Sequence, residues 1–361
     1  MTTNLAVRYR IPMLMAGFMS LMFGMYIGLI RLGWHFPIAS ASQFALHAPL
    51  MVCGFLGTVI SLERAVSIGE RWAYSSPLAA AASAILLIAG VSPSISALLA
   101  VIASVILCVA SIKIFLRQRE LFTFALLIAA LCWLLGCMLW LYGFALAQVM
   151  PWWMGFLIIT IVGERLELSR FMRPTYGSKM LFVFALLLFL AGAAFASFGT
   201  WPDFHLLSAA LIAMTLWLLR HDIIRHTIRQ QGLTRYIAVA LICGYAWLSV
   251  AGIIGLSLPQ LSAGSSYDAF THAIFLGFVF SMIFGHAPII FPAITKVKIP
   301  YHFSFYMPLF LLQASLLLRL SGDLLYMADL RKVGGVLHAV TIVTFILVLA
   351  ASVMRNKNKS L

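Results

Sequence analysis

His47 and His272 each stand a few residues inside a long apolar stretch, in the frames Ala45-Leu46-His47-Ala48-Pro49-Leu50-Met51 and Asp268-Ala269-Phe270-Thr271-His272-Ala273-Ile274. An ionisable side chain at such depth costs about 2.5–3.5 kcal/mol on insertion scales unless it is partnered, so each is a functional-site candidate. Neutral imidazole is a common ligand of transition metals and an axial ligand of haem, and two histidines at equal depth can grip a flat macrocycle from both faces. The alternative chemistry is an ordinary hydrogen bond from each ring to a neighbouring helix.

Other residues extend or compete with that pair. His286 follows His272 by fourteen residues, faces nearly the same way about 21 Å deeper, and stands in His286-Ala287-Pro288, which repeats His47-Ala48-Pro49. It is a second metal ligand, an inner proton-path residue, or part of a proline kink with an interhelical bond. His338, near Gly334 and Gly335, is a further metal candidate at the level of His47 and His272. His35 and His205 are interfacial, and His221, His226 and His302 fall in charged loops where solvation accounts for them. Asp268 precedes His272 by one turn, where it either orients the ring or caps the helix. Met51, one turn after His47, reads as packing, as do the five cysteines, which lie inside apolar stretches and form no CxxC pair. Six residues separate His47 from Cys53, which puts the thiol well off the histidine's face.

The elements that must position these groups are legible in composition. The 361 residues are 63% hydrophobic and 9% charged, with a mean hydropathy of +1.05, which places the chain among all-α polytopic membrane proteins. At roughly 20 apolar residues per span, about twelve transmembrane helices are expected. They lie near 12–30, 41–62, 76–92, 95–114, 121–143, 146–163, 179–198, 205–219, 235–258, 269–292, 303–325 and 333–354. The first exceeds the 7–15 residues of a signal-peptide core, so it reads as a retained anchor although Ala39-Ser40-Ala41 resembles a cleavage site. No soluble domain or linker stands out, and the whole chain reads as a single transmembrane domain.

Basic residues test the span count, because cytoplasmic loops collect Lys and Arg. With both termini cytoplasmic, twenty basic residues from Arg8 to Lys359 fall inside, and only Arg31, Arg319, Arg331 and Lys332 fall outside. The net charge of +14 is therefore topogenic: it implies affinity of the inner face for anionic lipid and no nucleic-acid partner. Against that bias, Arg331 and Lys332 in the outer loop before the last span are candidates to neutralise an anionic group such as the carboxylates of a haem. The competing reading is an Arg319–Asp323 pair plus ordinary loop charges.

An internal repeat organises the spans. At an offset of 101, Gly54-Phe55-Leu56 falls on Gly155-Phe156-Leu157 and Glu63-Arg64 on Glu164-Arg165, while His272-Ala273 overlays His47-Ala48 and Phe280 overlays Phe55. A Glu at a helix C-terminal end opposes the macrodipole, so its recurrence is informative, and each Glu-Arg pair is expected to bridge to a neighbouring helix. Related spans at positions two, six and ten imply three four-helix units, roughly 1–118, 119–232 and 233–361, in a pseudo-threefold arrangement. His47, Gln148 and His272 are then equivalent positions.

In these residues the chain resembles the haem-copper oxidase superfamily, and more closely the nitric-oxide-response membrane proteins called NnrS. The resemblance rests on His47 and His272 in the second and tenth spans, on His272-Ala273-Ile274-Phe275-Leu276-Gly277 with Met282, and on Arg331 and Lys332 between the last two. It implies a haem held by His47 and His272 near the outer face, with Arg331 and Lys332 at its propionates and copper as a second cofactor. It further implies a bacterial inner (plasma) membrane protein with an electron-transfer partner at the outer face, linked to nitrogen-oxide or respiratory redox stress. The sixth and seventh spans lack histidine, and Ile274 stands where a His-x-His pair would need its second ring. Those departures argue against a binuclear-centre oxidase or nitric oxide reductase. A small-molecule or metal transporter and a cofactor-free membrane assembly factor are the alternatives; the first is disfavoured by the confinement of acidic residues to span ends.

Overall fold

A computed structural model describes residues 4–37, 41–172, 174–198, 204–257 and 264–359, without the side chains of 41–43, 171 and 356–359. Ala39 and Ser40 of the cleavage-like site, Arg173, and residues 259–263 of the expected outer loop lie outside the described residues.

The described chain is helical, with no strand. We number the principal helices α1 (Val7–Arg31), α2 (Phe44–Ile68), α3 (Ser75–Ile88), α4 (Pro93–Arg117), α5 (Leu121–Leu141), α6 (Leu146–Ser169), α7 (Tyr176–Phe198), α8 (His205–His221), α9 (Gly232–Ser257), α10 (Ser265–Thr295), α11 (Phe303–Leu324) and α12 (Ala328–Lys359). Ten of them are long and apolar enough to cross a bilayer. The third and eighth expected spans form the shorter helices α3 and α8, of 14 and 17 residues. Large apolar side chains point outward along the others, among them Leu116, Leu181, Phe184 and Leu347, each about 60% exposed. Water would penalise such a surface and lipid does not.

The chain forms two compact units, one of residues 1–149 with 290–297 and the other of residues 150–289 with 298–361. In the first, Leu14, Leu62, Ala65, Ala73, Tyr74 and Ile294 share a core, and the Arg10 guanidinium donates to the carbonyls of Leu5 (2.7 Å) and Ile294 (3.2 Å). In the second, α11 and α12 form a hairpin tight enough that a Cβ on Gly334 would lie 2.8 Å from the Arg319 backbone. Small residues at such crossings let helix backbones approach closely in a bilayer, where packing substitutes for the hydrophobic effect.

Two helices depart from α geometry. Within α2 the segment Leu50–Leu56 is π-helical, and within α10 so is Ala273–Phe280. α6 is α-helical throughout. The other departure from expectation is at the start of α12: Arg331 and Lys332 belong to its first turns and not to a preceding loop. Asp329 in the first turn complements the helix N-terminus, and Tyr326 adopts a left-handed conformation that ends the connection from α11 (φ 57°).

Candidate functional site

His47 is held by α1. Its Nδ1 lies 2.7 Å from the Gly24 carbonyl, and because a carbonyl only accepts, Nδ1 carries the proton. In the neutral ring Nε2 is then the nitrogen with the lone pair, the tautomer a metal ligand needs. Gly28 makes room for the ring, since a Cβ there would lie 2.9 Å from His47 Cε1. Met51 packs over Gly24, which is the packing role expected of it.

His272 reaches the same tautomer by a different route: its Nδ1 donates to the backbone carbonyl of Asp268 one turn earlier, at 2.8 Å. The Asp268 carboxylate stands 3.3 Å from the same nitrogen and is chiefly engaged elsewhere. It pairs with Arg319, which also holds Asp323 at 3.1 Å; Arg331 lies 3.1 Å from Asp323 and 3.9 Å from Asp268. Arg319 and Asp323 are almost fully enclosed, at 5% and 0% side-chain exposure. Two arginines and two aspartates thus balance in a network next to His272, with Arg319 and Asp323 buried and Asp268 and Arg331 half-buried. Asp268 is therefore more than a helix cap, and the Arg319–Asp323 spacing forms the pair it suggested.

The same network bears on the two outer cations. Arg331 is spent largely on carboxylates, whereas Lys332 makes no ion pair among the described residues. Of the two, only Lys332 keeps its charge wholly for another anion.

His338 and His286 complete the imidazoles. His338 is buried, with Nδ1 2.9 Å from Ser315 Oγ and an Nε2 that has no hydrogen-bond partner among the described residues. It shares an electrostatic environment with His272, Arg319 and Asp268, so these groups lie together in the second unit. Gly334, one turn before His338, lets α12 approach Arg319 closely. His286 donates from Nδ1 to the Met282 carbonyl at 2.8 Å, and its buried Nε2 has no hydrogen-bond partner among the described residues. Its charged neighbour is Arg165.

Arg165 departs from expectation. It is 7% exposed and, among the described residues, makes no ion pair or hydrogen bond to a neighbouring helix; its charge acts on His286 and on Tyr245, whose hydroxyl donates to Asp222. The Glu164-Arg165 pair was expected to bridge to a neighbouring helix; its arginine makes no such bridge, and the Asp222 carboxylate is engaged by Tyr245 and by the Ile224 amide. Sequence reading also missed that Cys53 meets Cys137, with sulfurs 3.8 Å apart. No three His, Cys, Asp or Glu side chains converge into a metal cluster among the described residues.

Helical spans with enclosed imidazoles and a balanced, partly buried charge network define a polytopic membrane protein whose polar chemistry lies inside its helix packing. The chain belongs to the family described as a domain of unknown function, DUF8744, whose sequence model matches residues 10–354. No curated protein and no solved structure matches it.

Proposed function

We propose that this protein binds haem through His47 and His272, with copper as a second candidate metal, and serves in nitrogen-oxide or respiratory redox stress as the resemblance to NnrS proteins implies. One observation carries the reading: both histidines donate Nδ1–H to a backbone carbonyl and both lead into a π-helical segment, a rare geometry that recurs at functional sites. In each ring a protonated, carbonyl-bound Nδ1 puts the lone pair on Nε2, the tautomer that a haem or metal ligand needs. Bound haem supplies one-electron transfer or a site for a small gas. Around it the chain's own tasks are to hold the two rings, to exclude water with apolar neighbours, and to place Lys332, with Arg331 in part, near anionic groups. His286 and His338 offer further nitrogens for a metal.

In this reading the twelve helices form three four-helix repeats in a bacterial inner membrane, with both termini cytoplasmic and the redox partner docking outside. Labelling from intact cells tests the orientation after the five native cysteines are replaced. Ser265→Cys is expected to react, and reaction of Gln230→Cys overturns the topology. Visible spectroscopy of protein from haem-replete cells, with iron, copper and zinc quantified alongside, tests the cofactor. A six-coordinate low-spin haem spectrum at about one haem per chain is expected. A colourless, metal-free and monodisperse preparation makes the histidines structural.

A further inference from the structure

A crevice of about 630 Å³ runs between α9 and α11. On α9 its wall is the stripe Arg235, Val239 and Cys243, spaced by four residues and so on one helix face. On α11 it is Tyr306, Phe310 and Gln313. The two helices touch only sparsely, and Phe310 beside the crevice is 70% exposed, so it opens onto the lipid-facing surface.

The polarity along the crevice is graded. At one end stands Arg235, an exposed cation that no carboxylate pairs among the described residues, with the interfacial aromatics Tyr301 and Phe303 beside it. About 12 Å along α9, at Cys243, the wall is apolar. The one polar group at that depth, Gln313, is already satisfied: its oxygen accepts from Trp247 Nε1 at 2.6 Å, and its amide donates to Ser281 and to the Leu309 carbonyl. The deep end therefore asks for no polar ligand atom, and the mouth asks for an anion.

We propose that this crevice holds an anionic phospholipid, with its phosphate at Arg235 and an acyl chain between Val239, Cys243 and Phe310. A phosphate relieves the unpaired guanidinium, a chain fills space that protein side chains leave open, and both parts come from the bilayer already surrounding the helices. The proposal is independent of any cofactor.

Native mass spectrometry of the detergent-purified full chain tests it with dioleoylphosphatidylglycerol and dioleoylphosphatidylcholine, which share acyl chains and differ in charge. The wild type is expected to retain the anionic lipid about fivefold better, the factor one basic residue near a membrane surface supplies. Arg235→Gln is expected to erase that preference and Arg235→Lys to keep it. Val239→Trp, which fills the crevice, is expected to reduce retention of both lipids. Because Arg235 is exposed, its replacement leaves folding intact and decides the matter even if Val239→Trp fails to fold. Equal retention of the two lipids by the wild type, an undiminished preference in Arg235→Gln, or displacement of the lipid by millimolar inorganic phosphate overturns the proposal.

Discussion

α2 and α10 hold their histidines by opposite means. In α2 the ring is fixed from outside, by the Gly24 carbonyl and the space that Gly28 leaves on α1. In α10 it is fixed from within, by its own helix's Asp268 carbonyl, and the charges around it balance in a network reaching α11 and α12. α6, which the repeat expected from the sequence would align with α2, offers a comparison: it carries Gln148 where that alignment sets His47, contains Pro151, and has no π segment. Neither a proline nor the His-Ala-Pro frame by itself produces the π geometry, since His286-Ala287-Pro288 lies in an α-helical stretch. In α2 the first π residue also gives its carbonyl to Ser20 on α1, at 2.7 Å, which helps draw that turn out of α register.

Replacing the rings themselves gives the largest contrast. His47→Ala and His272→Ala are each expected to abolish the low-spin haem spectrum, because an axial ligand is lost. Gln148→Ala and the loop control His221→Ala are expected to leave it unchanged. Loss of the spectrum in Gln148→Ala would break the division between the histidine helices and α6.

The charge network distinguishes α10 from α2 in stability. Arg319→Gln leaves the enclosed Asp323 with Arg331 as its remaining cation, and removing one partner of a buried pair costs about 3–5 kcal/mol. Melting of the detergent-solubilised protein measures this, and a variant that melts like the wild type would mean Arg331 alone neutralises both carboxylates. A smaller destabilisation comes from packing. A Cβ at Gly277 would stand 2.4 Å from Trp247 Cβ, so Gly277→Ala overpacks the π segment of α10 and is expected to cost about 1–3 kcal/mol. Circular dichroism with melting measures it; an unchanged melting curve would show that the segment relaxes freely.

Much of this was legible from residue order. Apolar run length placed the principal helices to within about six residues at their ends, because burial in lipid leaves few other solutions, although only ten of the twelve expected spans are long and apolar enough to cross a bilayer. The start of α12 was not: Arg331 and Lys332 read as loop because of their charge, whereas Asp329 and the carboxylates of Asp268 and Asp323 let them begin a helix. The i,i+4 spacing of Arg319 and Asp323 announced their pair, but Asp268 lies 51 residues away and only the fold brings it to Arg319. The π segments had no sequence signature, since they depend on hydrogen-bond register and on neighbours such as Ser20. Arg165 shows the same limit: a repeated Glu-Arg dipeptide predicts a charge at a helix end and says nothing about whether a partner is still available there.

The mildest perturbation lies beyond the end of α2. Glu70, in the connection to α3, accepts from Lys113 Nζ at 2.5 Å, from Trp72 Nε1 at 2.6 Å and from Arg117 at 2.9 Å. The Lys113 ammonium, then the Trp72 N–H and the Arg117 guanidinium, lower its carboxyl from the usual range to about 2. The folded value lies below the unfolded one, so the clamp's contribution is complete above about pH 4.5 and is lost as pH falls toward 2. Its partners are substantially exposed, so solvent screens the interaction and the effect on melting is small. Glu70→Gln is expected to lower the melting temperature slightly at pH 7, by an amount that shrinks as the pH is brought to 3. Because the clamp ties α2 to α4 at a point far along the helix from His47, the substitution is expected to leave the haem spectrum untouched. A spectrum that changed in Glu70→Gln would mean that the outside grip on His47 extends down the whole of α2, and would erase the distinction between a ring held locally by α1 and one held by a network.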